Sequence, residues 1–257
     1  MRKISLKLCG FTCIMGIFGA FLRWMQMINI SEPETNLVKP YSPWSFALVL
    51  FVILGSGLLI MYVRTLRNLD FPQKYPEVYS RGLPLYNVTS VIIGVLMALG
   101  GALMVFHALS STRSVFDLIL GLFALICALA VSFFVISANK TKKAGSGSAP
   151  SVLIILFLCF WLIAAYKFSA SDPVIWHFAP RLLAIAATIL AFYFVNGFVF
   201  AKPAPLLSLF FCLLGTFLCI ITLADSYPIG EQLITLSFAA MMTLLSFAQL
   251  NNAEKKD

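Results

Sequence analysis

The sequence has 257 residues, of which 61% are hydrophobic and only 11% charged, with a mean hydropathy of +0.96; a soluble domain carries about 25% charged residues. So apolar a chain cannot cover itself with polar surface in water, which excludes a soluble globular domain and makes lipid the solvent for most of it. The net charge of +8 belongs to loops and termini and not to a folded basic domain, so nucleic acid is not an expected partner.

A helix rises ~1.5 Å per residue through a hydrocarbon core ~30 Å thick, so spans show as runs of about 20 apolar residues. Eight runs occur, at 8–22, 44–63, 90–109, 115–136, 151–166, 178–200, 204–224 and 229–250. They are long and lack period-two alternation, and a helix satisfies its own backbone in lipid. The predicted fold is therefore all-α: a polytopic transmembrane helix bundle of about eight spans, with the lipid bilayer as its main partner.

The first run is the shortest, with fifteen residues between Lys7 and Arg23 behind the basic opening MRKISLK, a pattern that resembles the n-region of a signal peptide. No small-x-small cleavage site follows it. Arg23 and Trp24 are expected to snorkel and anchor at an interface, as in a retained signal anchor; cleavage would leave seven spans. A short polar loop follows at 25–43. The loop at 64–89 carries Phe71-Pro72, Tyr75-Pro76 and Leu83-Pro84, so prolines should interrupt any long helix there, and its tyrosines and basic residues suit an interfacial loop.

On the third span Ser90, Gly94, Ala98 and Ala102 recur every four residues, a small-xxx-small stripe that admits a close helix. Packing inside the bundle is the expectation; contact with another membrane protein or a second copy of the chain is the alternative. On the fourth span Asp117, Gly121, Ala124, Ala128 and Ser132 share one face. On the eighth, Glu231, Thr235, Ala239, Thr243 and Ser246 form a broader stripe. Such faces should turn inward, either for packing or along a solute path.

Residues 140–150 are basic and then Gly/Ser-rich, as a flexible linker is. They divide the chain into a four-span half at 1–139 and another at 151–257. A shift of 114 residues sets Asp117 on Glu231 and Ser132 on Ser246, which fits a parallel four-plus-four repeat or chance in apolar sequence.

With the N-terminus inside, thirteen of the eighteen basic residues fall on the side of the termini, giving formal charges of +9 there and −1 opposite. The positive-inside bias puts both termini in the cytoplasm, where the basic loops meet anionic inner-leaflet lipids. No ionisable residue lies at a predicted midplane, which disfavours proton coupling through a buried carboxylate. Instead His107, Arg113, Asp117, Lys167, Asp172, His177, Arg181, Asp225 and Glu231 map to the outer ends of spans. Ser114-x-x-Asp117 is a capping box and Glu231 also opens a helix, so each acid has a local reason to be there. Arg181, one turn inside its span after Pro180, could snorkel. Asn196 suits an interhelical hydrogen bond. The sharper expectation is an outward-open vestibule rimmed by Asp117 and Glu231, with Arg181 as counter-charge and His107 and His177 nearby.

The six cysteines lie in apolar runs as small core residues and have no ligand spacing, and Walker, Rossmann, HExxH and nucleophile-elbow patterns are missing. No cofactor or metal is therefore expected. The segment at 182–202, LLAIAATILAFYFVNGFVFAK, resembles a stretch in uncharacterised multi-span membrane proteins of Gram-positive bacteria. That resemblance implies a bacterial cytoplasmic membrane and no activity. Three function classes follow from the residues: permease-like transport of a small solute, which the inward polar stripes favour; a membrane scaffold or accessory subunit; and an outward-facing enzyme, which needs His107, His177 and the outer acids to converge.

Overall fold

The structure, a computed structural model, describes residues 2–30, 42–80, 84–110, 115–140, 147–170 and 174–255. Eight of its helices are long and apolar enough to cross a membrane. They are α1 (Arg2–Ile30), α2 (Pro43–Thr65), α4 (Pro84–Ser110), α5 (Val115–Lys140), α6 (Ser148–Ser169), α7 (Ile175–Val199), α8 (Pro205–Thr222) and α9 (Ile229–Asn251), with a short α3 (Tyr75–Ser80) between the second and third. The protein is a multi-pass integral membrane protein. Three of the spans open on a proline, which has no N–H to leave unsatisfied in a first turn. The helices run past the apolar stretches at most of their ends, and α1, read from sequence as the shortest span, has 29 residues.

Large apolar side chains on α1, α2 and α4 face outward, among them Phe18, Phe46, Ile53, Met61, Ile92 and Phe106. Lipid is the solvent that accepts such surfaces. Inward, one continuous apolar core runs through the bundle. The two halves of the sequence share it, with α1 on α8 and α4 on α9.

Close helix contacts follow the glycines. A Cβ on Gly94 would collide with Ser132 Oγ and lie 2.9 Å from the Ala128 carbonyl oxygen, and one on Gly101 would lie 2.9 Å from the Gly121 carbonyl oxygen. These positions bring the α4 and α5 backbones together. On its other side α4 meets α9, where Gly100 and Gly230 each face the other's carbonyl oxygen at 2.7 Å from the missing Cβ. Ser90 and Gly94 are buried, but Ala98 is only half-buried and Ala102 faces outward. The stripe therefore does not run as a repeat of four. Each step of four drifts by about 40° around the helix, whereas a step of seven drifts by about 20°, so Gly101 and not Ala102 continues the contact begun by Gly94.

The polar faces of α5 and α9 are also taken up by packing. Ser132 Oγ donates to the Ala128 carbonyl, Thr243 to Ala239 at 2.8 Å and Ser246 to Met242 at 2.9 Å, while the Thr216 and Thr243 hydroxyls meet at 3.3 Å. Hydroxyls bonded to their own helix are satisfied without a solute or a water. Asn196, expected to bond a neighbouring helix, is buried with its Oδ1 unpartnered. Cys159, expected in the core, faces outward.

An even number of crossings brings both chain ends to one end of the bundle, here the terminal end; the opposite end is the distal end. The loop after α2 does not lie open at the terminal end as an interfacial loop would. Between α2 and α4 the described residues hold a 3-10 turn at Leu66–Asn68 and the short α3, whose Tyr75, Val78 and Tyr79 are buried under α5. The Tyr75 hydroxyl donates to the Phe134 carbonyl and lies 3.1 Å from Ser137 Oγ. A two-residue strand β1 (Leu69–Asp70) pairs antiparallel with β2 (Glu254–Lys255) beyond α9, and Asn252 Nδ2 donates to the Val78 carbonyl at 2.6 Å. Burial pushes the Tyr75 hydroxyl well above its ordinary pKa, so it stays a neutral donor. The 141–146 stretch of the sequence linker lies outside the described residues.

Candidate functional site: a charged cavity at the distal end

Arg23, about two turns from the end of α1, does not snorkel: it is fully buried, while the neighbouring Trp24 is exposed. Its Nε donates to Asp225 Oδ1 at 2.6 Å, Nη1 to Gln26 Oε1 and to the Trp176 carbonyl, both at 2.8 Å, and Nη2 to the His177 carbonyl at 3.0 Å. The Trp176 carbonyl needs such a donor. In an unbroken helix it would accept from residue 180, and Pro180, inside α7, has no N–H to give. Gln26 passes the network to Ser45 of α2 at 2.9 Å. One guanidinium thus ties α1, the first turn of α7 and the α8–α9 turn, with α2 reached through Gln26.

A second buried pair lies beside it. Arg181 Nη2 donates to Glu231 Oε1, which also accepts the Trp161 indole N–H at 3.0 Å. The Arg181 guanidinium stands 4.3 Å over the ring of Tyr227, a cation–π contact that favours keeping the charge there. Local capping therefore does not account for the Glu231 side chain, which turns to α6 and α7. Trp161 continues into a stack with Phe238, at 6.0 Å and 27°, and Phe157. These rings floor the charged layer.

Between the pairs opens a cavity of about 400 Å³ lined by Asp117, His177, Arg181, Asp225, Tyr227 and Glu231, together with Met27, Phe168, Phe178 and the Ser226–Pro228 turn. Arg181 and Glu231 are joined directly; Asp117 and His177 share the cavity wall with them. His107 lines a neighbouring hollow that has Ser226, Tyr227 and Pro228 in common with the first. Ser114, half of the capping box read for Asp117, lies outside the described residues. Among the described residues no group of three or more His, Cys, Asp or Glu side chains could hold a metal ion.

No protein-family model, curated protein or solved structure matches this chain.

Two atoms in the cavity lining are unusual. Arg181 Nε and Asp225 Oδ2 are buried, each without a hydrogen-bond partner. The residues that carry them are 8% and 3% exposed. A buried donor or acceptor left unmade costs about 1–3 kcal/mol, more when charged, and most such groups in native proteins find protein or water. Burial pushes the Asp225 carboxyl above its ordinary pKa, against the opposing pull of Arg23 and then Arg181. Burial also raises the Tyr227 hydroxyl, with Arg181 pulling the other way.

Sequence depth alone identifies Arg181, Glu231, Asp117 and His177 as residues of one end of the bundle. It misses Trp161, Tyr227 and Gln26, which have no charge to mark them, and it gives Arg23 the wrong environment. The available signal was Pro180: a proline one turn into a span leaves a carbonyl that something must satisfy.

Proposed function

We propose that this protein is a permease-like transporter of a small polar solute in the bacterial cytoplasmic membrane, with both termini in the cytoplasm and the distal cavity as its outer vestibule. The observation that carries the reading is a cavity whose wall includes two buried, ion-paired residues, Arg181 and Asp225, each with one further polar atom, Nε and Oδ2, left without a hydrogen-bond partner. A bundle that needed charge only for cohesion would satisfy both atoms internally. Trp161, bonded to Glu231 of the cavity wall, and the rings of Phe238 and Phe157 packed against it support the wall from within the bundle. Orientation is supported by the excess of basic residues toward the termini.

The test is uptake in proteoliposomes. Labelled amino acids, small amines, organic acids and sugars would be offered to wild type, to Ser226→Phe and to protein-free vesicles. Ser226 is exposed at the cavity wall, so phenylalanine there should block the vestibule without touching the ion pairs. Uptake of at least one class by wild type alone is expected. Equal traces for all three preparations across every class would refute transport.

A further inference from the structure

We infer that α3 is a movable plug in the terminal end of the bundle, and that its withdrawal opens the interior on that side as the inner gate for a solute arriving from the distal cavity. The inference rests on the reading of the protein as a transporter and adds to it the part that moves. Tyr79 packs against Phe134 of α5 at 6.2 Å and edge-on against Phe198 of α7 at 6.0 Å, and its hydroxyl lies beside Ser208 and Cys212 of α8. Asn252, at the end of α9, holds the carbonyl of the preceding residue, Val78. The distal cavity is walled by Asp117 of α5, His177 and Arg181 of α7 and the turn from α8 to α9. The helices that part at the distal end are therefore the ones that α3 closes at the other. Between the two lie the rings of Trp161, Phe238 and Phe192.

Two features suit this element to movement. Neutral bonds hold it at its rim: the Tyr75 hydroxyl donates to the Phe134 carbonyl, Asn252 Nδ2 donates to the Val78 carbonyl, and the β1–β2 ladder beside it is two residues long. Neutral bonds parted where solvent can enter are exchanged for bonds to water, so the net loss is small. The distal end is tied instead by two buried ion pairs, whose separation would strand charge. The outer face of α3 is already in solvent, with Lys74 and Glu77 exposed. The second feature is the layer beneath, which is polar and dry. The Tyr79 hydroxyl, Ser208 Oγ and Gln249 Oε1 are buried without a hydrogen-bond partner, Gln249 being fixed to the start of α8 through the Pro205 carbonyl. Withdrawal of α3 would admit water to this layer and recover solvation that the closed state forgoes.

The experiment follows Cys212, which is fully buried, using the full chain in nanodiscs for thiol modification and in proteoliposomes for uptake. Asp70 and Glu254 are exposed partners across the ladder, near enough for a disulfide, so Asp70→Cys with Glu254→Cys locks the segment when oxidised. A polar maleimide is added and each cysteine is followed separately by peptide mass spectrometry. Cys127 of α5, equally buried, reports global unfolding. Oxidation should slow modification of Cys212 at least tenfold and cut uptake of the solute class that wild type carries at least tenfold, and reduction should restore both. Tyr75→Phe, which keeps the ring and removes the hydroxyl, should speed modification of Cys212 at least threefold with Cys127 unchanged. Equal Cys212 rates in locked and reduced protein, or a Cys127 rate that matches that of Cys212, would overturn the plug. Slowed Cys212 with undiminished uptake would overturn the gate and leave transport standing. Slowed Cys212 in a protein that carries no solute in either state would end the transport reading and its gate together, with the motion of α3 upheld.

Discussion

Replacing Arg23 by methionine distinguishes a buried keystone from a snorkelling anchor. The substitution keeps a long flexible stem but removes four hydrogen bonds at once, to Asp225, Gln26, Trp176 and His177. Asp225 would lose its counter-charge while almost fully buried, and breaking one side of such a pair costs about 3–5 kcal/mol. The Trp176 carbonyl would be stranded too, because Pro180 cannot rebond it; the His177 carbonyl keeps the Tyr227 hydroxyl at 3.3 Å. These losses overlap, so the pair figure serves as the expectation. At ~2–4 °C per kcal/mol for a chain of this size, the unfolding midpoint should fall by roughly 6–20 °C. Reversible unfolding in mixed micelles, followed by tryptophan fluorescence, would measure it. Arg23→Lys should recover part of the loss, since it keeps the charge but not the fork. In a double-mutant cycle Arg23 and Asp225 should couple by about 0.5–3 kcal/mol. A methionine variant within about 0.5 kcal/mol of wild type, the usual range for a surface change, would refute the account.

The remaining predictions are briefer. Gly94→Leu should destabilise by about 1–3 kcal/mol through overpacking, while Val95→Leu, on the outward face, should not; equal folded yields in detergent would argue against the glycine contact. In a cysteine-free background, an impermeant thiol reagent applied to intact cells should label a cysteine at Ser31 and not one at Ser146, and the reverse pattern would invert the proposed orientation. The Asp225 carboxyl is raised above its ordinary pKa in the fold, so its stability contribution is complete below the unfolded value and is lost as pH rises through the folded one. Wild type should therefore lose ground against Asp225→Asn as pH climbs from about 4 toward neutrality, and a gap that moves the other way would show that Arg23 outweighs burial.

How much of this was legible depended on range. Eight spans can be read from apolar runs because lipid imposes one local rule on every stretch of about 20 residues. The level of Arg181, Asp117 and Glu231 can be read because depth follows from position along a helix. What could not be read was long-range pairing. Arg23 and Asp225 are 202 positions apart, and snorkelling explained Arg23 equally well from its neighbours alone. Tyr75 and Tyr79 looked interfacial because amphipathic rings beside basic residues usually are; only the fold of α5 above them makes that loop interior. The α4 stripe was misjudged at Ala102 for a geometric reason, since spacing by four leaves the contact line after one or two turns.

The strand pair and the Asn252 bond also set an order of events in biogenesis. Asn252 reaches Val78 across 174 positions, and among the described residues β1 pairs with β2 alone. The segment after α2 emerges early in synthesis, yet its seat is completed only by the last residues of α9 and the turns beyond. The terminal end is thus closed by a clasp whose second half is made only after the eighth span, and a nascent chain with fewer than eight spans would present its buried tyrosines to whatever factor receives it.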